Sequence, residues 1–447
     1  MRDLLLIAIV ILCALVALRR PVFGMLTFVC LGFLNPHSMT WTIARSFRLS
    51  LLVALATIIG YLFWSEPKSF PRQRESFLLL ALWGMFGIST SFAIEPEIAF
   101  QHFLDISKIL LMVFLCTAII NTEERLRWLI QVIAFSLGFY AVKGGIFVIV
   151  SGGNELVWGP EDSFLYANNS IGLALAMNIP LLLYLLKLET RSRLRWIIRG
   201  MLVFSYPAII GTFSRGAWLG LGVVTTLCFL NMKRKLLLST VGTLIGIMLL
   251  PLALQRVPER VVDRYNQLVN YESEASAQSR FWNWELCKRV GLAHPWTGGG
   301  FDPYTFRLIA KYYPEFSDRW GQWKVWSCHS VWFSIFAEHG FPGLILWLGL
   351  IGSYFLSIGQ IRSYGRTHPN MEWVVHCAHM LSTALVAFMV VGTFLDAAYF
   401  DMVYYLVAIL IIVKERISQA TAESAFPVTA PIKHEPVFKR QRISVGG

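Results

Sequence analysis

Charge is what this chain most lacks. Asp, Glu, Lys and Arg make up 15% of its 447 residues, against 56% apolar residues. Soluble globular chains carry about a quarter charged residues. A very apolar soluble core would still need helices with a polar face, and most segments here have none, which excludes a soluble domain. Carboxylate pairs are scarcer still. No Asp-x-Asp ligand pair stands in the segments assigned below to the far side of the membrane, and Glu95 with Glu97, and Glu272 with Glu274, read as solvated charges. His376 and His379 share a helix face, but without carboxylate partners they read as a packing or polar contact. No metal site and no cofactor is expected. There is no internal repeat and little mid-membrane polarity, which weighs against a transporter; Lys143, inside an apolar segment, is the one feature that fits a transporter better.

Cysteine is sparse too, with seven residues. Cys13, Cys30, Cys116, Cys228 and Cys377 lie in apolar stretches and read as packing residues. Cys287 and Cys328 lie in or beside a polar stretch. A disulfide between them is an option in an oxidising compartment, but unbonded thiols are the favoured reading. Residues 4–18 lack a small-residue cleavage site and run into Arg19 and Arg20, so a cleaved signal peptide is not expected.

Apolar runs are abundant. They fall at 4–18, 21–34, 42–64, 76–93, 107–121, 127–150, 170–187, 195–213, 216–231, 236–254, 330–359, 374–395 and 398–414. A bilayer crossing needs roughly 17–25 apolar residues, so the expected fold is an all-α polytopic membrane protein with about twelve spans. The first two runs are short and are compatible with half-helices, a hairpin or one kinked crossing. The net charge of +12 would suggest nucleic acid in a soluble protein. Here the basic residues sit in short alternate loops: Lys68, Arg72 and Arg74; Arg125 and Arg127; Arg191, Arg193 and Arg195; Lys233, Arg234 and Lys235; Arg362 and Arg366; Lys414 and Arg416. That alternation follows the positive-inside rule and calls for no nucleic acid. It divides the chain into membrane helices over 1–254, a helical periplasmic loop over 255–329, further membrane helices over 330–417 and a disordered cytoplasmic tail over 418–447.

The long loop differs in kind. Residues 276–290 read as an amphipathic helix with Phe281, Trp282, Trp284, Leu286 and Val290 on the apolar side. Trp296, Tyr304, Tyr312, Tyr313, Trp320, Trp323 and Trp326 suit an interfacial layer. Three clusters carry candidate chemistry. Ser214 and Arg215 stand where two apolar segments turn at the far side, and an Arg at that depth is costly unless it works; its planar fork suits phosphate. Ser279 and Arg280 open the loop helix, which leads to His294, Pro295 and the run Gly298–Gly300. His329 stands where the loop re-enters the membrane, suited to take a proton from a hydroxyl. It is followed by Glu338, available to pair with a basic group, and by His339, a second and less favoured candidate base.

Together these clusters resemble the O-antigen ligase and polymerase superfamily, at 214–217, 279–300 and 329–343, in the family's order. The chain departs from the family pattern in having Ser330 where Asn is usual and Phe333 where Leu is usual. Asn35 to Trp41 and Trp158 to Phe164 resemble the branch described as exosortase-associated O-glycosylation ligases. The resemblance implies a fold like the C-type membrane glycosyltransferases. It implies an inner-membrane enzyme that moves a glycan from undecaprenyl pyrophosphate to a sugar hydroxyl of lipid A–core. His329 would be the base, Arg215 and Arg280 would hold the pyrophosphate, Ser214 and Glu338 would bind substrate, and the reaction would invert the anomeric centre without a metal. A polymerase or a protein O-oligosaccharyltransferase would use the same donor; a lipid-linked glycan transporter is the alternative outside the enzymes.

Overall fold

The computed structural model describes residues 2–40, 43–68, 70–230, 275–315 and 327–425. The apolar run 236–254, the basic cluster Lys233–Lys235, Glu272, Glu274, Trp320, Trp323, Trp326 and residues 426–447 lie outside them. Among the described residues every regular element is helical. The main helices are α1 (Arg2–Arg19), α2 (Pro21–Leu34), α3 (Leu49–Leu62), α4 (Arg74–Ser91), α5 (Pro96–Ile119), α6 (Glu123–Val150), α7 (Asn168–Leu188), α8 (Ser192–Ile210) and α9 (Arg215–Leu230). After them come α10 (Ala275–Ala293), α11 (Phe306–Tyr312), α12 (Val331–Thr367), α13 (Glu372–Gly392) and α14 (Asp401–Ala425). Among the described residues five stretches are long and apolar enough to cross a bilayer: α5, α6, α7, α12, and α13 with the short turn before it; α2, α3 and α9 are shorter apolar helices.

The first two runs form a hairpin. Arg20 leaves helical geometry and Pro21 restarts the chain as α2, the position where a proline costs no backbone bond. The Ala44 amide donates to Asp3 Oδ1 at 3.2 Å, so the start of α1 lies beside the chain that follows α2. Val10, Ala14 and Leu31 share one apolar cluster with Leu49 and Val53 of α3.

The bundle has two distinct ends. One holds the basic residues of the short loops. Arg125 pairs with Glu66 at 2.6 Å, and Glu189 takes Arg191 at 3.0 Å and Arg127 at 3.4 Å. Nearby, buried Glu75 takes Lys414 at 2.6 Å and the hydroxyls of Ser353 and Ser357. His376 sits between Lys187 at 3.1 Å and Glu372 at 3.3 Å, so a carboxylate does stand beside this pair, contrary to the sequence reading. At the C-terminal boundary α14 stays helical to Ala425. The other end gathers the turn before α9, the described residues between α10 and α12, and the link from α13 to α14. This end is called the site end below.

Candidate active site

At the site end two glycine-bearing stretches far apart in sequence dock as one unit. Helix α12 breaks at Gly340, whose φ of 65° and ψ of −165° are not helical. The amides freed there and in the opposing turn find each other. Gly299 N donates to Ala337 O at 2.7 Å, Gly300 N to Glu338 O at 3.0 Å, and Phe341 N to Pro295 O at 2.8 Å. A Cβ on Gly298 would run into the main chain of Glu338, and one on Gly340 into the Pro295 carbonyl. Both residues also have φ above 60°, where only glycine is unstrained. The His294–Gly300 and Glu338–Gly340 clusters are therefore two halves of one backbone clasp.

That clasp determines the role of the side chains around it. Glu338 is buried, and its oxygens take the hydroxyls of Tyr304 at 3.1 Å and of Tyr399. Its partners are two phenols rather than the basic group suggested by the sequence. His339 is fully buried between the rings of Phe86 and Phe301, with Nε2 on the Tyr399 hydroxyl at 2.6 Å. These contacts remove His339 from solvent and leave His329 as the accessible imidazole of the two.

His329 has a φ of 49°, a strained setting for a residue with a side chain. Its side chain is 41% exposed, and Nδ1 lies 3.3 Å from Asp396 Oδ2. Asp396 is in the short link between α13 and α14. Its carboxylate also takes the hydroxyl of Ser334 at 2.7 Å and that of Ser327. Partial withdrawal from water raises the carboxyl's pKa, but the bond and charge of His329 and the two serine hydroxyls outweigh it, so it lies below its ordinary value. Sequence reasoning missed Asp396. It stands alone at the end of an apolar run, and only the fold brings it to a residue 67 positions earlier.

The preceding residue is also fixed. Cys328 is bonded to Cys287 of α10, with Cα atoms 6.0 Å apart, and this corrects the reading of two unbonded thiols. The bond ties the residue before His329 to the helix that carries Arg280. Around it Leu286, Val290, Tyr304 and Leu308 form a separate apolar cluster. Tyr304 is thus core rather than interfacial, whereas Trp296 is exposed. Of the other apolar positions expected on the loop helix, Trp282 stacks on Tyr313 and Trp284 on Phe333, while Phe281 is exposed.

Arg280 borders one ring of this link, and the helix that begins at Arg215 packs against the same link. The Arg280 guanidinium lies 5.7 Å from the centre of Phe394. Gly216, next to Arg215, faces Val391 and Phe394 of the same link. Trp284, one turn beyond Arg280, also lies against Phe394. Ser214 is buried and its Oγ accepts the Ala217 amide at 3.3 Å, so this hydroxyl caps α9. Asn168 braces the same turn through the Thr212 carbonyl at 2.8 Å. Arg215 therefore adds its charge at the positive end of a helix, a setting that favours an anion. Of the five predicted residues, Arg280 and His329 lie against the link 393–400, Arg215 opens the helix whose next residue packs on it, Ser214 caps that helix, and Glu338 bonds to Tyr399 of the link. Among the described residues, no three His, Cys, Asp or Glu side chains are grouped to hold a metal ion.

A helical bundle with several apolar crossings, and with a His–Asp pair and two arginines at one end, is a multi-pass membrane protein with a candidate transfer site at its surface. Residues 200–348 match the family model described as O-Antigen ligase. That match supports the O-antigen ligase superfamily for this part of the chain. Residues 1–190 match a family of unknown function (DUF5935). No curated protein matches the chain.

Proposed function

We propose that the protein is an O-antigen ligase. It transfers a glycan from undecaprenyl pyrophosphate to a sugar hydroxyl of lipid A–core, at the periplasmic face of the inner membrane. The observation that carries this reading is the His329–Asp396 pair beside two arginines. With Asp396 on Nδ1, the imidazole keeps its proton there and offers Nε2 as a base. The acceptor oxygen attacks the anomeric carbon and its proton goes to Nε2. The bond from that carbon to the pyrophosphate oxygen breaks, and the electron pair leaves with the phosphate. Arg215 and Arg280 meet the charge that develops there. One-step displacement inverts the anomeric centre, and the scheme requires no metal ion.

Two features favour the periplasmic side for this end. The basic loops gather at the opposite end, as the positive-inside rule asks of a cytoplasmic face. The Cys287–Cys328 bond beside His329 suits an oxidising compartment. A polymerase or a protein O-oligosaccharyltransferase would use the same donor, so the acceptor decides. The test is reconstituted protein given undecaprenyl-pyrophosphate glycan with lipid A–core, with lipid-linked repeat units, or with a Ser/Thr peptide. Transfer to lipid A–core is expected; transfer only to one of the other two acceptors would overturn the ligase assignment.

A further inference from the structure

The Asp396 carboxylate meets His329 on one side and is hydrogen-bonded to Ser327 and Ser334 as well. Its other side opens onto a cavity of about 150 Å³, lined by His102, Phe301, Asp302, Tyr304, Glu338 and Tyr399 together with Ser327 and Ser334. Arg280 borders Phe394, whereas no Lys or Arg is among the described residues that line this cavity. Charge is thus divided along the link 393–400, positive on the Phe394 side and acidic behind Asp396. A phosphate would be repelled by the carboxyls of Asp302 and Asp396, so the cavity is unsuited to the donor's pyrophosphate.

Its walls suit something else. Tyr399 is partly exposed and packs on buried Phe301 with ring centres 4.9 Å apart, and an apolar ring beside carboxylates gives an uncharged polyol what it needs, C–H contact plus acceptors for hydroxyls. Asp302 stands at the mouth with 54% of its side chain exposed, 3.6 Å from His102 Nε2. Its φ of 43° is a strained setting held by the clasp around Gly300, and such strain gathers at functional positions. The volume is on the scale of one monosaccharide.

We infer that this cavity is a subsite for a single uncharged sugar of the acceptor, held by Asp302 and His102 at the mouth and sharing Asp396 with the His329 base. The inference rests on the transferase reading, and it adds a specificity: an acceptor sugar phosphorylated on the ring placed here is rejected. His102 and Asp302 are positioning residues. Both are half exposed, so substitution leaves the core intact.

The experiment has two arms that fail separately. In the first, purified protein in detergent is given methyl hexosides and methyl heptosides, or their phosphates, and bound sugar is read by saturation-transfer NMR. Uncharged glycosides are expected to bind the wild type, with binding weakened about tenfold in Asp302→Asn and in His102→Ala, and the phosphates are expected not to bind. Equal binding of phosphates, no binding of any uncharged glycoside, or binding unchanged in both variants overturns the subsite whether or not transfer occurs. In the second arm, the same variants are assayed for glycan transfer. The acceptor KM is expected to rise about tenfold while the donor KM stays the same; a rise in donor KM alone also overturns the subsite. Wild type that binds the glycosides but transfers no glycan would instead sink the transferase reading.

Discussion

His329 Nδ1 and Asp396 Oδ2 face each other at 3.3 Å across a boundary between a polar loop and the membrane bundle. In the proposed mechanism the carboxylate orients the ring and stabilises it once it has taken a proton, the part an acid residue plays behind a histidine base. Asp396→Asn keeps the shape and removes the charge. We expect glycan transfer to fall by about 10²–10³-fold, with donor binding unchanged when measured with labelled undecaprenyl-pyrophosphate glycan. Full activity in this variant would show that the pair is only structural.

The clasp makes a second claim. Gly298→Ala and Gly340→Ala each force a Cβ against backbone at a positive φ. Strain of that kind costs about 1–3 kcal/mol before the clash is counted. Both variants should melt at lower temperature in detergent and lose transfer together, because the clasp fixes the break in α12 beside Glu338. Gly352→Ala, where a Cβ meets nothing within 4 Å, serves as the control. Equal melting temperatures for all three would refute the clasp as a stability element.

The disulfide offers a reversible test. It closes a separation of 41 residues, which in the chain-entropy account contributes at most about 4 kcal/mol. Reduction, or Cys287→Ser, is expected to lower both the melting temperature and the rate, because Cys328 precedes the base. Thiol counting before and after reduction should show two additional thiols. Retained activity with both thiols shown to be free would remove the bond from the account.

At the opposite end, Glu189 is nearly buried. The bond from Arg191 holds its carboxyl down to about 2 against the effect of burial, helped by the charges of Arg191 and Arg127. Because the folded value is depressed, the group contributes stability that is full above its ordinary value of 4.5 and is lost as pH falls through about 2. The melting gap between wild type and Glu189→Gln should be full at neutral pH and shrink below that ordinary value. A gap that does not change with pH would contradict this.

Some of this was legible in the sequence and some was not. Helix positions followed from apolar run lengths, Arg215 stood out because charge near membrane depth is costly, His329 because an imidazole at the membrane boundary can take a proton, and Arg280 through its place among the family-like motifs. Asp396 carried no local signal, since a lone carboxylate after an apolar run looks like a helix end. Glu338 and His339 were visible as polar residues in an apolar helix, but their burial behind Tyr304 and Tyr399 depends on a kink and a clasp that join distant segments. The Cys287–Cys328 bond was equally hidden, because spacing alone does not say which residues the loop brings together.

The most direct measurement is transfer by purified Arg215→Ala, Arg280→Ala and His329→Ala protein, in buffer containing EDTA, from undecaprenyl-pyrophosphate glycan to lipid A–core. Wild type is expected to be active with the chelator present. Each variant should be produced at normal levels, fold as judged by melting, and transfer no glycan. Normal transfer by all three variants, or wild-type activity that vanishes in EDTA and returns with Mg²⁺, would contradict the account.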